Sequence, residues 1–137
     1  MKPRLSFSIA LMLVVSLVSA GAALALTRGS SVGVTLNEFN VIPAKQSAPK
    51  GKVTFTVRNK GKIEHEFVVL KTVKAAGDLI SHGGTEASEA GNRGEISSVK
   101  PGQTKKLVVT LPVGHYALIC NLPGHYQGGQ FMDFYVR

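Results

Sequence analysis

Hydrophobic and polar positions alternate through most of this chain. Val32, Val34 and Leu36 take turns with Gly33, Thr35 and Asn37, and Phe39 and Val41 follow. The same period of two returns at Val53, Phe55 and Val57 within Lys52 to Asn59. Successive side chains of an extended chain point to opposite sides, so this alternation predicts strands with one buried face. Pro43 to Gly51 is rich in turn formers, Asn59-Lys60-Gly61-Lys62 predicts a tight turn, and another strand runs from about His65 to Lys71. Lys106 to Leu111, Gly114 to Cys120 and Gln130 to Val136 predict three more strands, with turns at Pro101-Gly102 and Pro112-Val113-Gly114. Residues 72–98 break the rhythm with glycines among small and charged residues, which predicts a long excursion with a helical turn or two at Ala75 to Ile80 or Thr85 to Ala90. Short strands, frequent turns and little helix predict an all-β fold, a Greek-key β-sandwich or barrel.

The start of the chain follows a different pattern. Lys2 and Arg4 precede an apolar run from Leu5 to Leu26, and Ala23-Leu24-Ala25 offers the small-x-small pattern of a signal-peptidase site. Residues 1–25 are therefore expected to be a signal peptide, and residues 26–137 one domain with one core. The alternative is an uncleaved membrane anchor, since roughly 20 apolar residues cross a bilayer. Both readings place the domain outside the cytoplasm, as a periplasmic, cell-surface or secreted protein.

Charge and cysteine usage narrow the choice of function. The whole chain carries a net charge of +8, which falls by two without Lys2 and Arg4. Basic character suits acidic partners or anionic headgroups, or simply keeps the domain soluble. No basic run with interleaved aromatics occurs, so nucleic-acid binding is not expected. Cys120 is the one cysteine, which excludes an internal disulfide. A lone thiol in an oxidising compartment needs protection, and metal ligation supplies it.

The segment from Cys120 to Gln130, Cys-Asn-Leu-Pro-Gly-His-Tyr-Gln-Gly-Gly-Gln, joins a thiol and the imidazole of His125 through a Pro/Gly loop. Upstream, Glu64-His65-Glu66-Phe67 opens a strand with a second imidazole. Two nitrogens and a thiolate with a weak axial donor suit a copper electron-transfer site. His82 is expected to be a solvated loop residue. His115, out of phase with Tyr116, Leu118 and Cys120, is expected at the surface.

In these features the chain resembles the cupredoxin family, the group that includes plastocyanin and azurin. The resemblance extends from the Val-Thr-Leu-Asn-Glu-Phe strand through Asn59-x-Gly61-x-x-x-His65 to the Cys/His loop. It implies one type 1 copper ion held by His65, Cys120 and His125. The family usually has Met at the axial position, where this chain has Gln130, and an amide oxygen also serves there in stellacyanin-like members. Met132 is the competing donor, but it shares parity with Phe134 and Val136, which favours a core position and leaves Gln130 preferred. The resemblance further implies that Glu66 and Asn121 tie the ligand segments together, and that electrons leave through a small apolar patch of Leu122, Pro123 and Tyr126 around His125.

The expected function is single-electron transfer between transient redox protein partners, by a monomeric carrier that is not an enzyme. The alternative is a copper-binding module for storage, delivery or metal-site assembly. Membrane association is expected only through the N-terminal segment.

Overall fold

The computed structural model describes residues 29–79 and 83–137, so the signal-peptide reading and His82 lie outside the described residues. Among the described residues no helix is long and apolar enough to cross a membrane. Among the described residues nine strands form two sheets. The first orders β2 (Asn40–Pro43), β1 (Ser30–Asn37), β4 (Gly51–Asn59) and β7 (Thr104–Leu111). The second orders β3 (Ser47–Ala48), β9 (Phe131–Val136), β8 (Gly114–Ile119), β5 (His65–Lys71) and β6 (Asn92–Val99). β1 runs parallel to β4, β3 runs parallel to β9, and the other pairs are antiparallel. This is an all-β sandwich, as the alternation predicts.

The alternating residues meet between the sheets. Val34 and Leu36 of β1, Phe55 and Val57 of β4, Phe67 of β5 and Phe134 of β9 belong to one core. Phe55 lies at its centre, with ring centroids 5.4 Å from Phe67 and 5.5 Å from Phe134. Offset and edge contacts of this kind add to the burial of each ring.

The second sheet is buried on both faces, which explains the unbroken apolar runs of β5 and β8. Its outer face, with Val68, Leu70, Ala117 and Ile119, packs against Ala76, Ala87 and Tyr126. The excursion after β5 is thus a cover over this sheet. Among its described residues there is one helical turn, a 3-10 turn at Ala76–Asp78, and no helix forms at 85–90. Its last part, Asn92–Val99, is a strand rather than irregular chain. β6 is a solvent-facing edge that pairs only with β5, so few of its side chains are apolar and the pattern is faint. Ser47–Ala48 likewise pairs with β9 inside the stretch read as turn.

Asn59 closes the end of the sandwich from which His65 starts. It is fully buried, donates to Ile63 O and Val99 O at 2.7 Å each, and accepts from the Gly61 N–H at 2.7 Å. Asn59→Ala removes three hydrogen bonds to backbone, one of them fully buried, and is expected to cost about 2 kcal/mol of stability, measured by urea unfolding of the metal-free protein.

Candidate metal centre

His65 opens β5 and Cys120 follows β8 directly, so antiparallel pairing of the two strands sets them side by side at one end of the sandwich. His125 comes from the loop after Cys120. That loop is closed by its own backbone, with His125 N–H donating to Leu122 O at 2.9 Å, Gly128 N–H to Gly124 O at 3.0 Å and Gln130 N–H to His125 O at 3.1 Å. Gly124 turns the loop at φ +81°, a left-handed conformation that favours glycine.

The three predicted donors converge. Cys120 Sγ lies 3.2 Å from His125 Nδ1 and 4.0 Å from His65 Nδ1, and the three donor atoms fall within 4.8 Å of one another. Donors bonded to one ion at about 2.0–2.3 Å sit on the order of 3–4 Å apart, so the cluster suits a single metal ion. Cys120 and His65 are fully buried, while His125 is partly exposed.

Electrostatics explain how the sulfur is held. Burial raises the Cys120 pKa, opposed by the backbone N–H groups of Glu66 and Leu122 directed at the sulfur. The Glu66 N–H lies 3.2 Å from Sγ. In the metal-free site the thiol therefore keeps its proton, and those N–H groups await a thiolate. Burial, reinforced by His125, lowers the His65 pKa, so its ring is neutral and able to donate a lone pair. Burial, with Glu89 and Glu95 nearby, raises the Glu66 pKa to about 7.

The expected tie between the ligand segments is present in backbone form. Glu66 donates to the sulfur, and its carboxylate receives the Asn121 N–H. The Asn121 side chain turns the other way. It accepts from Ala87 N–H at 2.7 Å and donates to Ala87 O at 3.0 Å and to Glu89 Oε1 at 2.9 Å, clamping the cysteine segment to the cover.

Gln130 is fully buried beside His65, its Nε2 3.0 Å from His65 Nδ1 and 3.1 Å from Asn37 O. Its Oε1 is buried and has no hydrogen-bond partner among the described residues. Met132 packs against the main core, where its sulfur faces Gln46 Nε2 at 3.5 Å.

Two expectations change. His115 is half-buried rather than superficial, with Nε2 2.7 Å from Asp133 Oδ1 and Nδ1 3.0 Å from Thr72 O. β8 is covered on both sides, so a residue out of phase with the core still meets protein. Tyr126 is buried, its hydroxyl donating to Ala76 O at 2.8 Å and accepting from the Leu79 N–H at 3.0 Å, so it is not part of the rim. Phe39, which the sequence reading did not assign to the site, takes that place. It is 43% exposed, meets His125 edge-on at 5.6 Å, and lies so close to Gly128 that a Cβ there would come within 2.9 Å of its ring. Its signal is a large aromatic at the tip of the β1–β2 hairpin, where burial is poor.

Fold and donor set fit a single type 1 copper ion. Two imidazoles and a thiol gathered at one point form the nitrogen and sulfur set that copper favours.

Known proteins agree. The family described as Cupredoxin-like domain matches residues 8–131. The copper-resistant cuproprotein CopI of Vibrio cholerae is 32% identical over 84 residues, which cover 59% of this chain and 48% of that protein. The chain thus spans about half the length of this curated relative. Dithionite-reduced auracyanin from Roseiflexus castenholzii shares the fold with a TM-score of 0.60 at 22% identity, covering 79% of this chain and 97% of that one. Rusticyanin from Thiobacillus ferrooxidans does so with a TM-score of 0.60 at 16% identity, covering 80% and 77%. With its sandwich, its gathered donors and this match over most of its length, the chain belongs to the cupredoxin-like domain family.

Proposed function

We propose that this protein is an exported electron carrier in which His65, Cys120 and His125 would hold a copper ion and Gln130 would supply a weaker fourth donor. Copper bound there supplies a one-electron couple. The observation that carries the reading is that the three donors are gathered in one place and braced by the surrounding backbone. Cys120 is fixed by two backbone N–H groups, and the cysteine segment is clamped through Asn121 to the cover. Donors that stay in place between oxidation states leave little reorganisation to slow electron exchange.

The exit is the partly exposed His125, rimmed by Phe39, Leu122 and Pro123. A small apolar rim suits brief docking on a redox partner better than a permanent interface. With the donors supplied by the protein's own side chains, the protein is read as a carrier and not as an enzyme.

The likeness to a copper-resistant cuproprotein favours copper handling as the second reading. The two differ in what leaves the protein. For a carrier, mixing oxidised and reduced forms broadens the ligand-histidine proton resonances by fast self-exchange, and copper stays bound in both states against a competing chelator. Slow exchange with ready loss of copper(I) to the chelator selects copper handling and overturns electron transfer.

A further inference from the structure

Glu38 and Phe39 form the two-residue turn between β1 and β2, and this turn meets His125, Gln130 and the loop ahead of His65 at once. Its first residue reaches the loop that leads into β5. One carboxylate oxygen of Glu38, Oε1, accepts the backbone N–H groups of Lys62 and Ile63, the latter at 3.0 Å. Its second residue lies against the other ligand loop, with the Phe39 ring edge-on to His125. The residues that flank the turn hold the Gln130 amide, whose Nε2 donates to Asn37 O at 3.1 Å and to Asn40 O at 3.4 Å. Carbonyl oxygens only accept, so a flipped amide would set oxygen against oxygen, and the turn fixes which way the amide faces.

The turn is braced from within. Asn40 Nδ2 donates to Asn37 Oδ1 at 2.9 Å and to Glu38 O at 3.2 Å, which ties the two strand ends together across it. Both neighbouring loops also leave room for it. Gly61 presents no side chain to Glu38, where a Cβ would come within 2.6 Å of Oε1, and Gly128 presents none to Phe39, where the approach would be 2.9 Å. Neither glycine has a positive φ, so the close approach of the turn, and not the backbone conformation, is what calls for glycine at both places. A carboxylate with no task beyond solubility needs no such notch.

We propose that the Glu38–Phe39 turn is the positioning element of the metal centre, with Glu38 as its positioning residue. By clipping the loop ahead of His65, Glu38 seats the turn against Gln130 and His125, so that loosening this one support is felt at the other two. The inference rests on reading the cluster as a copper site, and adds to that site an exposed residue outside the donor set. Three separate contacts that only share a neighbourhood would behave differently, because each change would stay local.

The test begins on the metal-free protein, with solvent exchange of the Gln130 side-chain N–H protons followed by NMR and read against the backbone N–H of Phe55 at the centre of the core. Glu38→Ala removes the clip directly. Gly61→Ala displaces the carboxylate from the other side and leaves Glu38 itself in place. Both are expected to speed Gln130 exchange at least about tenfold more than Phe55 exchange, since the opening is local. Glu38→Gln keeps an accepting oxygen for both N–H groups and is expected to keep the original rate. His115→Ala, which loosens contacts to the cover instead, should leave the ratio unchanged. Loaded with copper(II), the first two variants should show a shifted copper hyperfine splitting in paramagnetic resonance, and the last two should not. Unchanged Gln130 exchange in both Glu38→Ala and Gly61→Ala, or exchange that rises only in step with Phe55, overturns the proposal. So does faster exchange with an unshifted spectrum, which makes the turn a structural brace, and so does a Glu38→Gln variant that behaves as Glu38→Ala, which makes the effect one of charge. A protein that takes up no copper sinks the electron-carrier reading instead, and the exchange contrast alone then decides this inference.

Discussion

Copper(II) added to the reduced, metal-free protein is expected to give an intense visible absorption, and Cys120→Ser to abolish it. The band is a charge transfer from a thiolate to copper(II), and Cys120 is the one sulfur in the cluster. A serine oxygen offers no comparable low-energy transition. His65→Ala should also remove the band, because it takes away a fully buried donor whose Nδ1 lies 4.0 Å from the sulfur. His115→Ala should leave the spectrum nearly unchanged and lower stability by about 1–2 kcal/mol, since its ring bonds Asp133 and Thr72 O instead. Uptake also has a defined pH dependence. Burial holds the Cys120 pKa above its usual value, so the metal-free site binds a proton that metallation must release, and apparent copper affinity rises with pH. Absorption and paramagnetic-resonance spectra of the four proteins decide the matter. A colourless protein with stoichiometric copper would sink the electron-carrier reading.

The second large effect concerns the axial position. Gln130→Met is expected to raise the reduction potential, and Met132→Leu to change it little. An amide oxygen is a harder donor than a thioether and stabilises copper(II) relative to copper(I), so exchanging oxygen for sulfur favours the reduced state. For a one-electron couple about 59 mV is a tenfold change in equilibrium constant, so a shift of that order is readily measured by voltammetry. Gln130 is fully buried with its amide beside the donor cluster, Nε2 lying 3.0 Å from His65 Nδ1. Met132 lies against the main core with its sulfur toward Gln46, where leucine nearly conserves volume. A strong shift in Met132→Leu without one in Gln130→Met would make Met132 the axial ligand.

What the sequence revealed tracks how strongly each residue's surroundings constrain its type. Alternation in β1 and β4 is visible because one face meets the core and the other meets water. Cys120, His65 and His125 are legible because metal chemistry restricts residue type and spacing together. β6 escaped notice because an edge strand facing solvent needs no apolar face. The role of residues 72–91 escaped for a related reason. A cover buries only a few small side chains, Ala76 and Ala87 among them, so its composition reads as loop although its contacts are those of a core. His115 was misjudged because parity says which side of a strand a residue occupies, and not what lies beyond that side, and Phe39 was not assigned because it stands in the turn between β1 and β2.

The pairing of β5 with β8 also has a bearing on time. His65 and Cys120 are separated by 55 positions in the chain and share a site only through that ladder. Closing so long a loop precedes any contact that repays it, so such pairings are slow to form. During refolding in the presence of copper, colour therefore reports closure of the second sheet rather than the first collapse of the chain. A newly made chain is likewise unable to bring these donors together until its C-terminal third has arrived.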